Sequence, residues 1–319
     1  MITFKSYYLI ESVSPDTKGK IHEILVAKHL NGGKHISPEA AKHFKTLTSG
    51  MHPNEVKDFH NRALHTAEHI KKHVASLGHE IHSVHHTSKA GDIGRLTGTH
   101  ESQQENSADI MIRTKSGHHI GYSLKVSDKK NQKVPIGNPG HGQTDKQLGV
   151  NTQTHYEHAR KALEKAHPEL QGRPKSEQKK LIKANPHMRA TAEKLGNTAI
   201  TKIRDTWHKK LDSMDKKDLS DHIRNNLLHA HKTKTPLYKS SAGGTGGDYS
   251  HHLTHPESQY NHLLNDHKNL HVEKSGNNSI NFVHVHPKTG VKTLVVKHRI
   301  KPESTPVVTS LKGSAEGVH

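Results

Sequence analysis

The sequence predicts an α/β protein in which a small sheet is flanked by helices and followed by a basic helical extension and a C-terminal β-hairpin. Three observations carry that expectation. Apolar residues recur at three-to-four spacing over residues 21–30 and again over 53–77, the period of a helix that buries one face. The stretch ENSADIMIRTKSGHHIGYSLKVS, residues 105–127, reads as two short strands around a turn. A second hairpin, SINFVHVHPKTGVKTLVVKHRI at residues 279–300, alternates strictly on its second arm.

Taken in order, residues 1–19 form an N-terminal segment with an apolar cluster, MITFKSYYLIE, before a Ser/Pro break. A helix starts at Ile21, where Ile21, Ile24, Leu25 and Leu30 make an uneven apolar stripe with Glu23 beside it, and NGG at 31–33 stops it. The second helix places Val56, Phe59, Ala63, Ala67, Ile70 and Val74 on one face and ends at Gly78. EIHSVHHTS alternates loosely and suggests a strand, and the Gly-rich stretch up to Ser107 reads as a loop. After the first hairpin, Pro135 and the NPG triplet force turns.

Residues 20–150 are thus expected to form the core and 151–238 the basic helical region, punctuated by Pro168, Pro174 and Pro186. The Ser/Gly-rich run at 239–250 is expected to be a flexible loop, and 251–301 a segment holding the second hairpin. The Ser/Thr/Pro/Gly-rich tail, 302–319, is expected to be disordered.

Bulk composition bounds the partners. Of 319 residues only 29% are hydrophobic and 4% aromatic, so the core must be modest. The formal net charge is +18, and 35 histidines add to it in mild acid. A chain this basic points to a polyanionic partner, foremost nucleic acid. Without cysteine, disulfides and thiolate metal sites are excluded, which fits a reducing compartment. The sequence has no apolar run of the ~18 residues a membrane helix needs and no secretory signal, so neither a membrane nor a secreted location is expected.

The first hairpin has two candidate registers. A two-residue turn at Ser116-Gly117 would set Asp109 opposite Leu124 and mix charge with apolar residues on one face. A three-residue loop, Lys115-Ser116-Gly117 with Gly117 left-handed, sets Asp109 opposite Ser123, Ile110 opposite Tyr122 and Ile112 opposite Ile120. That register separates the faces and is preferred. Asp109, Ser123 and Lys125 then share one side of the sheet at its open end.

An acid and a lysine on adjacent strands suit phosphodiester hydrolysis. A divalent cation polarises the phosphoryl group and activates water, hard cations take carboxylate oxygens, and a lysine stabilises transition-state charge. A helix bearing a glutamate (IHEILVAKHL), a strand opening with an aspartate (SADIMI) and an adjoining strand ending in lysine (YSLKV) together resemble the PD-(D/E)XK nuclease superfamily. The resemblance covers about residues 20–150. It implies a restriction-endonuclease-like core with a small mixed sheet flanked by helices, a Mg²⁺ (or Mn²⁺) ion held by Asp109 and Glu23, and Lys125 as the catalytic lysine. Two departures stand out. Ser123 occupies the position of an acid and offers the metal at most a neutral oxygen, and Ala108 precedes the aspartate where proline is usual. The stretches HHTSKAGDI, GYSLKVSDKK and NPGHGQTDKQLG are also similar to proteins of large contractile-tailed phages.

Other residues are open to two readings. Asp92 in GDIG fits a turn former or a further ligand, and Gln143 and Gln147 fit surface residues or contacts to a phosphate or base. His65, His69 and His73 at four-residue spacing, with His251, His252 and His255, suggest zinc, yet so many histidines produce such spacings by composition. AGGTGGD lacks the Lys-Ser/Thr of a phosphate loop. The lysine-rich helices of 161–234 suit sequence-independent contacts to a DNA backbone. Leu9-Ile10-Glu11 resembles the cleavage site of peptides that target proteins to phage heads. The expectation is therefore a phage DNA nuclease acting in the host cytoplasm or carried in the virion interior. The alternative is a non-catalytic DNA-binding protein packaged in the head.

Overall fold

The computed structural model describes residues 13–87, 91–98, 106–131, 137, 139–228 and 235–317. Leu9-Ile10-Glu11 lies outside them. They divide into two compact units, the first within Met1–Gln132 and Thr233–His255, the second within Lys133–Lys232 and Pro256–His319. The expected 20–150 core is thereby corrected beyond the hairpin. It ends near residue 132, and the chain returns to it after 233, because two later strands complete its sheet.

The first unit opens with α1 (Pro15–Leu30), longer than expected at its start because the Ser14 side chain accepts from the Thr17 amide and Pro15 occupies the first turn. A short helix, α2 (Pro38–Leu47), capped by Ser37, carries no fully buried residue. The long α3 (Pro53–Ser76) follows its apolar stripe and ends as Leu77 and Gly78 turn the chain, Gly78 at φ +76°. Then come β1 (Ile81–His86), the single-turn α4 (Asp92–Thr97), β2 (Ile110–Thr114) and β3 (His119–Ser127).

The sheet of this unit is mixed. Its order is β1-β2-β3-β4-β5, with β4 (Leu237–Gly243) parallel to β3 and all other neighbours antiparallel, β5 (Ser250–Thr254) forming one edge. Ile110 pairs with Tyr122 and Ile112 with Ile120, the register of the three-residue loop. Thr114 N–H donates to the His118 carbonyl at 2.9 Å, and Gly117 sits at φ +85°, where a side chain would be strained. Gly121 meets a different demand, since a Cβ there would come within 3.0 Å of the Ala108 Cβ.

Strand alternation sends the two faces of this sheet to different neighbours. Val84, Ile110, Ile112, Ile120, Tyr122 and Leu124 form one core with Ile21, Leu25, Phe59, Ala63, Ile70 and others of α1 and α3. On the opposite face only Met111 and Leu237 join a small apolar group, with Ala108 and Ile93 of α4. The buried Arg62 of α3 ties the strand ends together, donating to the carbonyls of Ser127 (3.0 Å) and Gly244 (2.9 Å).

The run 239–250 is corrected from flexible loop to sheet. Residues 239–243 lie in β4, buried, and only Gly244–Tyr249 turn the chain, held where Gly246 N–H and the Tyr249 hydroxyl donate to Asp58 Oδ1 at 2.6 and 2.7 Å. A strand between two neighbours tolerates small polar side chains because its backbone is fully paired.

The second unit places α5 (His141–Leu148), α6 (Gln153–Ala166), α7 (Lys175–Ala184), α8 (Pro186–Asp212), α9 (Lys216–His222) and α10 (Pro256–Asn265) with an antiparallel sheet. Its order is β6 (Leu270–Ser275), β7 (Ser279–Val285), β8 (Lys292–Pro302), β9 (Leu311–Gly317). The expected hairpin is β7–β8. The expected disordered tail is corrected, since β9 pairs along β8 and Val307, Val308, Leu311 and Ala315 are buried. Trp207 lies at the centre of this core. Its indole N–H donates to Asp145 Oδ1 at 2.7 Å, and its ring stacks on His141 and His298. No helix among the described residues is long and apolar enough to cross a membrane.

Candidate active site

Asp109 stands immediately before β2, where its own N–H donates to the Tyr122 carbonyl at 2.8 Å and fixes the carboxylate against β3. Oδ2 accepts from the Leu124 N–H (2.6 Å), the Ser123 hydroxyl (3.2 Å) and the Lys125 ammonium (3.4 Å). The Lys125 ammonium also donates to Ser123 Oγ (3.0 Å) and to the Leu124 carbonyl (2.9 Å). The predicted trio therefore does share one side of the sheet and is mutually bonded. Oδ1 of Asp109 carries no hydrogen bond among the described residues.

Glu23 arrives from α1 because the helical stripe that buries Ile21, Ile24 and Leu25 turns position 23 toward the rim. Its Oε2 lies 3.3 Å from Nε2 of His86 at the end of β1, and Oε1 has no partner among the described residues. Glu23 and Asp109 line the same cavity, of about 840 Å³, together with Lys20, His43, His85, His86, Asp92 and Arg95. Asp92 turns out to be the first residue of α4, where it pairs with Arg95 while facing this cavity. His86 and Arg95 carry no local cue, since sheet pairing and the α4 turn bring them to the cavity.

Gln143 and Gln147 are not among the residues lining this cavity. Both lie on α5 of the second unit, Gln143 exposed and Gln147 half-buried. The histidines do converge in part. His69 of α3 stacks on His251 of β5 with ring centroids 4.5 Å apart, and His65 flanks both. His73 instead bonds the Tyr122 hydroxyl at 2.8 Å. Burial, with the positive charge of His69 and His65 next, pushes His251 down to about 3, so it is neutral. Among the described residues no group of three or more histidine or carboxylate side chains is arranged to hold a metal.

One further residue belongs to the polar face. Lys239 of β4 pairs with Ser123 and is only 8% exposed. Burial first, and the Lys125 ammonium second, lower its pKa to about 7, with Asp109 opposing.

No family model, curated protein or solved structure matches this chain. The chemistry must be judged from the site itself. Two carboxylates facing one cavity, each with a free oxygen, are a donor set of the kind Mg²⁺ and Mn²⁺ accept, since such ions take one or two carboxylates and fill the remaining positions with water. Ser123 adds little, because its hydroxyl is already engaged with Asp109 and Lys125.

Proposed function

We propose that this protein is a divalent-metal-dependent DNA nuclease with a restriction-endonuclease-like core, and that its DNA binding is largely independent of sequence. The observation that carries the reading is that Glu23 and Asp109 line one cavity, with Lys125 bonded to Asp109. The order of parts supports it: a glutamate helix, a three-strand antiparallel meander with the aspartate and lysine on its second and third strands, and a fourth strand parallel to the third.

Asp109 Oδ1 and Glu23 Oε1 would hold the cation. When bound, it supplies polarisation of the phosphoryl oxygen and an activated water. The chain's own residues do the rest. The Leu124 amide and the Ser123 hydroxyl hold Oδ2 and so aim the other oxygen of Asp109 at the cavity. Ser123 Oγ and the Leu124 carbonyl anchor the Lys125 ammonium, which orients the attacking water and takes up charge on the pentavalent phosphorus. The surplus of 48 Lys and Arg over 30 Asp and Glu draws in the polyanion, and binding weakens steeply with salt.

The test is incubation of the full chain with plasmid and linear DNA in Mg²⁺, Mn²⁺ or EDTA. Wild type is expected to cleave only with metal, and Lys125→Ala and Asp109→Asn to lose about 10² or more in rate, the scale of removing a charge-stabilising group. Cleavage by Lys125→Ala at the wild-type rate contradicts the reading. Ser123 favours one competing reading, a DNA-binding protein without catalysis. Salt-sensitive DNA binding by a wild type that leaves every substrate intact would establish it instead.

A further inference from the structure

The parallel pairing of β3 and β4 builds a polar group that the cleavage reading leaves unused. Ser123 pairs with Lys239 and Lys125 pairs with Ser241. Residues paired in this way project from the same face of a sheet. Two lysines and two serines therefore occupy the corners of a square, like residues on the diagonals, with Asp109 beside Ser123. Ser123, Lys239 and Ser241 are all more than nine-tenths buried, and Lys125, with 35% of its side chain exposed, is the corner that meets solvent.

Lys239 is the unexplained member. Its ammonium has no hydrogen bond or ion pair among the described residues. Leaving a charged group buried without a partner is strongly unfavourable. The same face accepts an apolar residue two positions earlier, where Leu237 packs with Ile93, Ala108 and Met111. A lysine kept at this cost beside a candidate active site calls for an anion.

Ser123 bears on the same point. An acid at 123 would neutralise the lysine on either side of it. A serine leaves Asp109 as the one carboxylate bonded to this group, with its Oδ2 already occupied. The square then carries two ammoniums and the Ser241 hydroxyl, which makes only a long 3.5 Å bond to the His252 carbonyl, as donors for a tetrahedral oxyanion, while the Ser123 hydroxyl stays with Asp109.

We propose that Lys239 and Ser241, with Lys125, form a phosphate-binding subsite of this site, and that the two ammoniums supply the electrostatic stabilisation lost with the acid at position 123. The inference rests on the nuclease reading for the identity of the phosphate as part of a nucleic acid, while the subsite itself is measurable without catalysis.

The test is calorimetric titration of the full chain with pyrophosphate in EDTA, without metal. Wild type, Lys239→Met, Lys239→Gln and Ser241→Ala are compared with Lys180→Met, which removes an exposed charge from α7, and thermal melting confirms that each is folded. Lys239→Met and Lys239→Gln are expected to weaken pyrophosphate binding about tenfold or more and Ser241→Ala about tenfold, the scale of a lost charge-assisted hydrogen bond. Lys180→Met should bind as wild type does. Equal affinity in wild type and a folded Lys239 variant overturns the inference, and if neither Lys239 variant folds, unchanged affinity in Ser241→Ala overturns it.

DNA cleavage measured in parallel separates the two readings. A chain that cleaves but binds pyrophosphate independently of Lys239 and Ser241 loses only the subsite. A chain that does not cleave but binds pyrophosphate through Lys239 loses the nuclease reading and keeps the anion site.

Discussion

The two faces of the five-stranded sheet are made by the same strands and do opposite work. One face presents Ile110, Ile112, Ile120, Tyr122 and Leu124 to α1 and α3 and is filled without a gap in apolar character. The other presents Asp109, Ser123, Lys125, Lys239 and Ser241, of which three are nearly fully buried despite being polar. Only the alternation of side chains along a strand separates them. A core face stabilises by removing apolar area from water. A face that keeps a buried lysine next to another lysine spends part of that stability, and such expense is the usual mark of a functional surface.

The largest effect that would sharpen this contrast lies on the apolar face. Ile112 is fully buried among residues of both helices. Ile112→Ala is expected to destabilise the protein by about 2–5 kcal/mol through lost burial and the cavity left behind, read as a lower midpoint in chemical denaturation. A change under ~1 kcal/mol would mean that this face is not the core that holds the sheet.

A smaller effect of opposite sign is expected across the sheet. Lys239→Met removes a buried ammonium and keeps the volume, so it should stabilise the protein by about 1–4 kcal/mol at pH 7. The pH dependence follows from the folded-state value of about 7 against 10.5 for the free side chain. Between those values the unfolded chain holds a proton on Lys239 that the folded chain does not, so wild-type stability rises with pH there. The gap between Lys239→Met and wild type should therefore be widest at pH 7 and below and narrow toward pH 10. Denaturation curves at pH 6.5, 8 and 9.5 check it. A gap that stays constant would remove the claim that the lysine is buried without a partner.

The sequence made the apolar face legible and only the hairpin's share of the polar one. The register of the first hairpin could be read because Gly117 marks a left-handed position and because only one pairing separates Ile110, Ile112, Ile120 and Tyr122 from Asp109 and Ser123. Glu23 could be named from its place beside the uneven apolar stripe of α1, but that helix buries nearly all the other positions from Ile21 to Ala27, so the pattern alone does not set its rotation. Lys239 and Ser241 could not be found that way. They lie in a Ser/Gly-rich run that reads as a linker, and their strand pairs with β3 across more than a hundred residues of intervening chain, for which no local pattern gives a cue. Gln143 and Gln147 are suggested by nearness in sequence to the hairpin, and they belong to the second unit. The C-terminal tail misled through its composition, as β9 is built of small residues that suit a tight sheet as well as a loose end.

The central claim is that Glu23 and Asp109 together make good the acid missing at 123. The most direct measurement is Mn²⁺ binding to the full chain by calorimetry, with wild type beside Glu23→Gln and Asp109→Asn. Wild type should bind Mn²⁺ at one site, and each variant, though folded, should weaken binding by about tenfold or more, since each loses one of two carboxylate ligands. Unchanged Mn²⁺ affinity in Glu23→Gln would contradict the account, because the helix acid would then be no part of the site.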